Sequence, residues 1–356
     1  MSTALAPTFE TIWFDAKDGF RLNFKRLAPK KDAEYRGPVI MVPGAGVRAN
    51  LFNPPLPNTL PEQLSRKGFD VWMLNWRASI DLPANQYDLD DAAVLDMPAA
   101  VSKIREETKA DEVKAVIHCQ GSVAFMMAIT AGLLPDVSVV VANSCGLHPV
   151  INRPAWYKLP LAMATLGRVV PYFNPQWGLH APGFWPKVID FAVRATHHEC
   201  DNGVCRQASF TYGFGFPSMW DHDNLTPETH EWIKGEFAHV PVKLFQQIAN
   251  SVAAGEYVST GAYRDELPPL FTGAKPDTEA RFVFMTGDRN RLFLNESMAK
   301  TFEYFERWYP GRNTFTKLAG YGHLDVFFGE NSAEEVFPYI VDELSRPYVM
   351  KKKPKP

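Results

Sequence analysis

The run Val116-Ile117-His118-Cys119-Gln120-Gly121-Ser122-Val123-Ala124 joins a short apolar stretch to a series of small residues, with a cysteine at the join. A strand that turns sharply into a helix at such a point lifts one side chain above the sheet. The backbone N–H groups that follow are then aimed at a developing oxyanion. The usual form of this turn is Gly-x-Ser-x-Gly. Here Cys119 takes the nucleophile's place, Gly121 is the second small residue, and Ile117 stands where the first glycine would be. The positive end of the following helix favours a thiolate over a thiol, so Cys119 is the expected nucleophile. The plain alternative is a buried structural thiol, because free cysteine is among the most buried residue types. Ser122 is the rival nucleophile, about one helical turn on, where its hydroxyl should face packing.

A catalytic thiol needs a base. The segment Ala319-Gly320-Tyr321-Gly322-His323-Leu324-Asp325 follows the last predicted strand, and its glycines allow an irregular loop that swings His323 over Cys119. His118 adjoins the nucleophile but should point the other way by strand alternation. A residue that orients the imidazole belongs in Thr286-Gly287-Asp288-Arg289-Asn290, where a Gly-x-x-Asp register gives Asn290. Asp288 lies one register off and Asp325 is a third option. Cys, His and Asn act together on other folds, and a thiol that pre-ionises against histidine can make do with orientation alone. The oxyanion donors are expected to be the N–H groups of Gln120 and of Ala45, the latter in Gly44-Ala45-Gly46.

Residues 39–42 are apolar and stop at Pro43-Gly44, as a buried parallel strand ending in a glycine loop does. Further strands are predicted at 69–74, 113–118, 137–142, 281–285 and 315–318, and helices at 60–67, 90–107, 121–134, 294–308 and 333–344. Residues 11–15 and 21–27 flank the turn Lys17-Asp18-Gly19 as a hairpin. The alternation predicts an α/β chain with a doubly wound, mostly parallel sheet, whose ligands sit at the carboxyl ends of its strands. Between 148 and 276 it gives way to a segment rich in proline and aromatic residues, with helical stretches at 186–196 and 229–237. The expected division is a core over 1–147, an inserted cap over 148–276, a second part of the core over 277–347 and a flexible basic tail over 348–356.

The net charge of -3, spread along the 356 residues, offers no basic surface for nucleic acid. No apolar run is long enough to span a membrane, and residues 1–9 lack the pattern of a secretory signal, so a cytoplasmic protein is expected. Aromatic residues make up 13% of the chain and crowd into 154–220, which suggests that the cap encloses something apolar. Four cysteines are too few for a disulfide framework in a chain of this length. Cys145 reads as core. Cys200 and Cys205 have His197, His198 and Asp201 nearby, but that spacing matches no standard zinc pattern. Cap packing is therefore preferred there over a disulfide or a metal, and neither metal nor cofactor is expected.

The chain resembles the α/β hydrolases found alone or fused to cholesterol-oxidase-like flavoproteins of the GMC type. The stretches that carry the likeness are Leu74-Asn75-Trp76-Arg77-Ala78-Ser79, His118-Cys119-Gln120-Gly121-Ser122, Cys200 to Cys205 with Arg206 and Tyr212-Gly213, and Gly320-Tyr321-Gly322-His323-Leu324-Asp325-Val326. More distantly it is similar to polyhydroxyalkanoate synthases, which also carry an elbow cysteine and a Trp-Arg pair after a strand but an Asp where Asn290 stands. The resemblance implies the α/β-hydrolase fold with an inserted cap, acyl chemistry, and a flavoprotein oxidoreductase as partner. The expected function is hydrolysis of an ester or thioester of an apolar substrate, fatty acyl or sterol-like, through an acyl-Cys119 intermediate. Acyl transfer at the same site and a non-catalytic lipid-binding module are the alternatives.

Overall fold

The computed structural model describes residues 7–213 and 219–350. The lysines of the basic tail, Lys351 to Lys355, lie outside the described residues. Ten strands run in chain order: β1 (Glu10–Asp15), β2 (Arg21–Leu27), β3 (Pro38–Val42), β4 (Asp70–Asn75), β5 (Val113–His118), β6 (Val137–Asn143), β7 (Tyr172–Phe173), β8 (Val240–Pro241), β9 (Arg281–Gly287) and β10 (Thr314–Leu318). Eight of them form one sheet in the order β1-β2-β4-β3-β5-β6-β9-β10, while β7 and β8 pair separately. The hairpin of β1 and β2 joins β4 antiparallel; every pairing from β4 to β10 is parallel.

Apart from the edge strand β10, the parallel strands are buried on both faces, which is why they read as near-continuous apolar runs. Along β3 to β5 alternate side chains separate into two cores. Ile40, Val42, Trp72, Leu74 and Ile117 pack on one face, while Val39, Met41, Val71, Met73 and Val116 pack on the other. Helices between the strands cover these faces, including Leu60–Arg66, Met97–Thr108, Cys119–Thr130 and Asn295–Trp308.

Two predicted helices differ in the structure, and proline accounts for both. The stretch 90–107 begins as a short turn at Leu89–Asp91, widens into a π-turn over Ala92–Asp96, and only then runs as an α-helix from Met97. Pro98 has no N–H to give the ladder, and its ring displaces the carbonyl one turn back. The closing helix splits likewise into Ser332–Glu335 and Phe337–Ser345, with Pro338 just past the break.

Between β6 and β9 the chain forms more helix than its sequence suggests. Phe184–Thr196 and Pro227–Trp232 match the two predicted stretches approximately, and Arg153–Ala164, Gly203–Tyr212 and Val242–Ala254 join them. Pro154 and Pro160 mask the first of these, and Gly203 opens the second. The Arg153–Ala164 and Phe184–Thr196 helices expose Trp156, Tyr157, Leu161, Phe184 and Phe191 to solvent. No helix among the described residues is long and apolar enough to cross a membrane.

The Trp76-Arg77 pair after β4 has a structural task. Trp76 donates its indole N–H to the Pro43 carbonyl at 3.0 Å, fixing the glycine loop. Arg77 is buried and bonds Asp96 through Nη2 at 2.7 Å, Nε at 2.9 Å and its backbone N–H at 3.0 Å. Asp18 is the second, more exposed partner of the same guanidinium. Asp96→Ala leaves the buried guanidinium with only the more exposed Asp18 and should destabilise the fold by about 3 kcal/mol, read as a lower denaturant midpoint at unchanged slope.

Candidate active site

β5 delivers its chain directly into the helix Cys119–Thr130, and the junction residue Cys119 has φ +54°. A left-handed conformation at a residue with a β-carbon costs energy, and the surrounding packing must hold it. Two glycines make the corner fit. A β-carbon on Gly121 would lie 2.1 Å from the Pro43 carbonyl oxygen, and one on Gly44 would lie 3.0 Å from Cys119 Cβ. The helix N-terminus and the loop after β3 can therefore close on the thiol from both sides.

His323 sits in the loop after β10 and is fully buried. Its position is fixed from the backbone: Ser144, left-handed at φ +72°, donates Oγ–H to the His323 carbonyl at 3.2 Å. Asp325 accepts from the Gly322 N–H at 2.9 Å and from Asn224 Nδ2 at 2.6 Å, which shapes the turn just before the histidine. A ring nitrogen of His323, the Cys119 sulfur and a ring nitrogen of His118 all lie within 4.8 Å of one another. Both nitrogens of His323 are buried without a hydrogen-bond partner among the described residues.

Cys119 and His323, expected from the sequence as nucleophile and base, are thus brought together, and Gln120 and Ala45 line the same pocket as Cys119. Gln120 opens the helix beside Cys119, where its N–H has no partner in the preceding turn. Its side chain accepts from Tyr257 Oη at 3.2 Å. The carbonyl of Ala45 accepts from Tyr212 Oη at 2.9 Å, and the N–H on the other side of that peptide, from Gly46, donates to the Ala78 carbonyl at 3.0 Å, so the loop is pinned from both sides.

Asn290 is not brought to the imidazole. It is buried after β9, but its Oδ1 accepts the N–H groups of Leu292 at 3.1 Å and Phe293 at 3.3 Å, and its Nδ2 reaches Thr286 at 3.4 Å. Asp288 is exposed and holds the Gly320 N–H at 2.8 Å. The ring packed against His323 is instead that of His118, with centroids 4.8 Å apart. Alternation predicts that His118 points away, yet the left-handed turn at Cys119 resets the chain direction, so consecutive residues face the same histidine. His118 Nδ1 lies 2.9 Å from Asn143 Nδ2, and its Nε2 is buried without a partner. Burial, reinforced by the neighbouring His323, pushes the His118 pKa far below the ordinary imidazole value, so this ring is neutral.

Cys145, which reads as core, is also a member of the site. Its S–H donates to Cys119 and, with His323 and the Gln120 N–H, holds the Cys119 thiol well below the usual cysteine range, while burial raises Cys145 itself. The helix N-terminus and the histidine both favour the charge on Cys119. Ser122 is fully buried and donates to the Cys145 carbonyl at 2.8 Å, the packing role expected of it.

The thiol opens into an apolar pocket against the helices of the segment between β6 and β9, lined by Met163, Phe173, Phe210, Phe245, Ile248 and Phe293 among others. One cation lies in its wall. Lys158 donates Nζ–H to the carbonyls of Phe210 and Gly213, and burial lowers its pKa to about 7. Apolar walls with few polar groups suit an apolar ligand.

A second group of donors lies in the segment between β6 and β9. Cys200 and Cys205 meet His222 and His230, with one ligand atom from each within 4.8 Å of all the others. The histidines nearest in sequence, His197 and His198, are not in this group.

No protein-family profile matches the chain. A probable lipase of Schizosaccharomyces pombe is 21% identical over 313 residues, which cover 80% of this chain and 65% of that protein. The chain therefore spans just under two thirds of that relative's length. Among solved structures, a soluble variant of the monoglyceride lipase of Saccharomyces cerevisiae superposes with a TM-score of 0.57 at 12% identity, covering 97% of this chain and 96% of the other. A thermophilic esterase of Thermogutta terrifontis gives 0.56 at 13% identity, with coverage of 94% and 98%. A monoacylglycerol lipase of Paleococcus ferrophilus gives 0.52 at 17%, with coverage of 91% and 98%. The fold is that of the α/β hydrolases, as the order of strands and helices predicts.

Proposed function

We propose that the protein is a cysteine-dependent hydrolase of apolar acyl esters or thioesters. The observation that carries this reading is the thiol of Cys119, raised on a left-handed corner against His323 at the floor of an apolar pocket. The lipase and esterase names of the relatives agree with ester hydrolysis.

In this reading the Cys119 thiolate attacks the substrate carbonyl carbon, and the oxygen takes up charge facing the Ala45 and Gln120 N–H groups. Collapse breaks the C–O or C–S bond, and His323 gives its proton to the leaving group. Water then attacks the acyl-cysteine and passes a proton to His323, releasing the acid and restoring the thiolate. His118 supports the imidazolium. With Asn143 turned so that Oδ1 accepts from Nδ1–H, the neutral ring presents its Nε2 lone pair beside His323. Asn290 braces the loop that brings Leu292 and Phe293 to the pocket. If the apolar cap keeps water out and admits an alcohol or amine, the same acyl-cysteine serves acyl transfer.

The test is intact-mass spectrometry during turnover of a chain-length series of p-nitrophenyl esters and acyl thioesters. A transient adduct of the acyl mass that maps to Cys119, strongest with long chains, is the expected result. Tight binding of the same compounds without adduct or release would instead make the protein a lipid carrier.

A further inference from the structure

We propose that Cys200, Cys205, His222 and His230 form a structural zinc site that ties the cap together. Structural zinc is held tetrahedrally by thiolates and imidazoles, with Zn–S of about 2.3 Å and Zn–N of about 2.0–2.1 Å, which sets donors roughly 3.3–3.8 Å apart. The four ligand atoms already lie within 4.8 Å of one another, and Cys205 Sγ is 3.3 Å from His222 Nε2. His230 Nε2 is buried with no hydrogen-bond partner among the described residues, an arrangement that costs stability unless something fills the space in front of it. Two sulfur and two nitrogen donors, all supplied by protein, leave no open coordination position. The site is therefore structural rather than catalytic.

Three separate pieces of chain converge here. Cys200 and Cys205 straddle the start of the helix Gly203–Tyr212, His222 lies in the turn His222–Asn224, and His230 lies in the helix Pro227–Trp232. Asn202 organises the junction. Its Oδ1 caps the first helix at Val204 and Cys205, and its Nδ2 bonds the His230 carbonyl at 3.0 Å. The far end of that helix presents Phe210 and Tyr212 to the acyl pocket, and Tyr212 holds the Ala45 carbonyl. A metal at its start thus fixes the wall of the pocket at its end. The cysteine pair has the C-x4-C spacing common to zinc sites, whereas the histidines are eight positions apart and distant from the cysteines. That distance, together with the nearer His197 and His198, is what hides the set in the sequence.

The experiment uses the full chain, untagged, from zinc-supplemented cells. Elemental analysis should find about one zinc per chain, retained in Cys119→Ala and lost in Cys200→Ser and in His230→Ala. Zinc removal should lower the melting temperature and release the two thiols to a chromogenic disulfide. Reconstitution with cobalt(II) should give thiolate-to-metal charge-transfer absorption and the intense visible bands of a tetrahedral site. The cobalt spectrum of the unmutated chain stands even if a ligand variant misfolds. Sub-stoichiometric metal with no cobalt spectrum overturns the proposal, as does a Cys200–Cys205 disulfide in the freshly purified protein. Metal that is lost in Cys119→Ala but kept in Cys200→Ser overturns it too, and places the ion at the catalytic cysteine.

Discussion

Cys119→Ala should abolish the acyl adduct and lower turnover by about 10⁴-fold or more, the scale on which removing a nucleophile acts when its partners work as a unit. Ser122→Ala should leave turnover within about tenfold, because its hydroxyl only completes a hydrogen bond to the Cys145 carbonyl. The sharper variant is Cys119→Ser. A serine must lose its proton during attack, so the imidazolium that forms needs a carboxylate beside it. Replacing that carboxylate by an amide costs about 10⁴-fold in a serine triad. Here no carboxylate bonds His323 among the described residues: Asp288 faces solvent and Asp325 is occupied by Gly322 and Asn224. Cys119→Ser is therefore expected to fall by about 10³-fold or more in kcat/KM on esters, despite differing from cysteine by one atom. Comparable activity in the serine variant would mean that a carboxylate reaches the base during turnover, and the thiolate mechanism would lose its main support.

How much of this site is legible in the sequence depends on how local its causes are. The strand, corner and helix around Cys119 are encoded within about a dozen residues by apolar run, small residues and Gly121, so they can be read directly. The His323 loop is legible because it follows a strand in fold order. His118, Cys145 and Asn290 are not legible, each for a specific reason. The period-two rule that sends His118 away holds only while the backbone stays extended, and Cys119 at φ +54° ends it. Cys145 becomes a partner through the left-handed Ser144, a residue type that gives no hint of such a turn. Asn290 stands in the register where an orienting residue belongs, but its oxygen is drawn to the N–H groups two and three residues on in its own loop, the usual habit of an Asn side chain. The segment between β6 and β9 is the least legible part. Its helices contain prolines, its two-stranded piece is only two residues per strand, and its Cys and His cluster assembles from segments that no local pattern links.

The pH dependence of Cys119 alkylation should separate these contributions. Iodoacetamide reacts with the thiolate, so the rate follows the fraction ionised, and peptide mapping isolates Cys119 from the other three cysteines. Hydrogen bonding from Cys145, then the charge and contact of His323, lower the thiol against the opposing effect of burial. The sign is that of a depressed acid: reactivity is full at neutral pH and is lost only as pH falls through the lowered value, well below the roughly 8.5 of a free thiol. Cys145→Ala and His323→Ala should each move the midpoint up. In the limit where the thiol returns to about 8.5, the ionised fraction at pH 6 is about 0.3%, so alkylation there slows by roughly 300-fold. His118→Phe keeps a ring against His323 but removes the acceptor. It should leave the alkylation midpoint near the wild-type value while lowering kcat, because the thiolate already exists in the resting site and the imidazolium needs help only when it must hold and then return a proton. Asn290→Ala should instead raise KM for long acyl chains by loosening the Leu292 and Phe293 loop, with the alkylation profile unchanged. A wild-type midpoint near that of a free thiol would show that Cys119 rests protonated. The base would then have to remove its proton in the attacking step, and His118 would matter to acylation as much as to release.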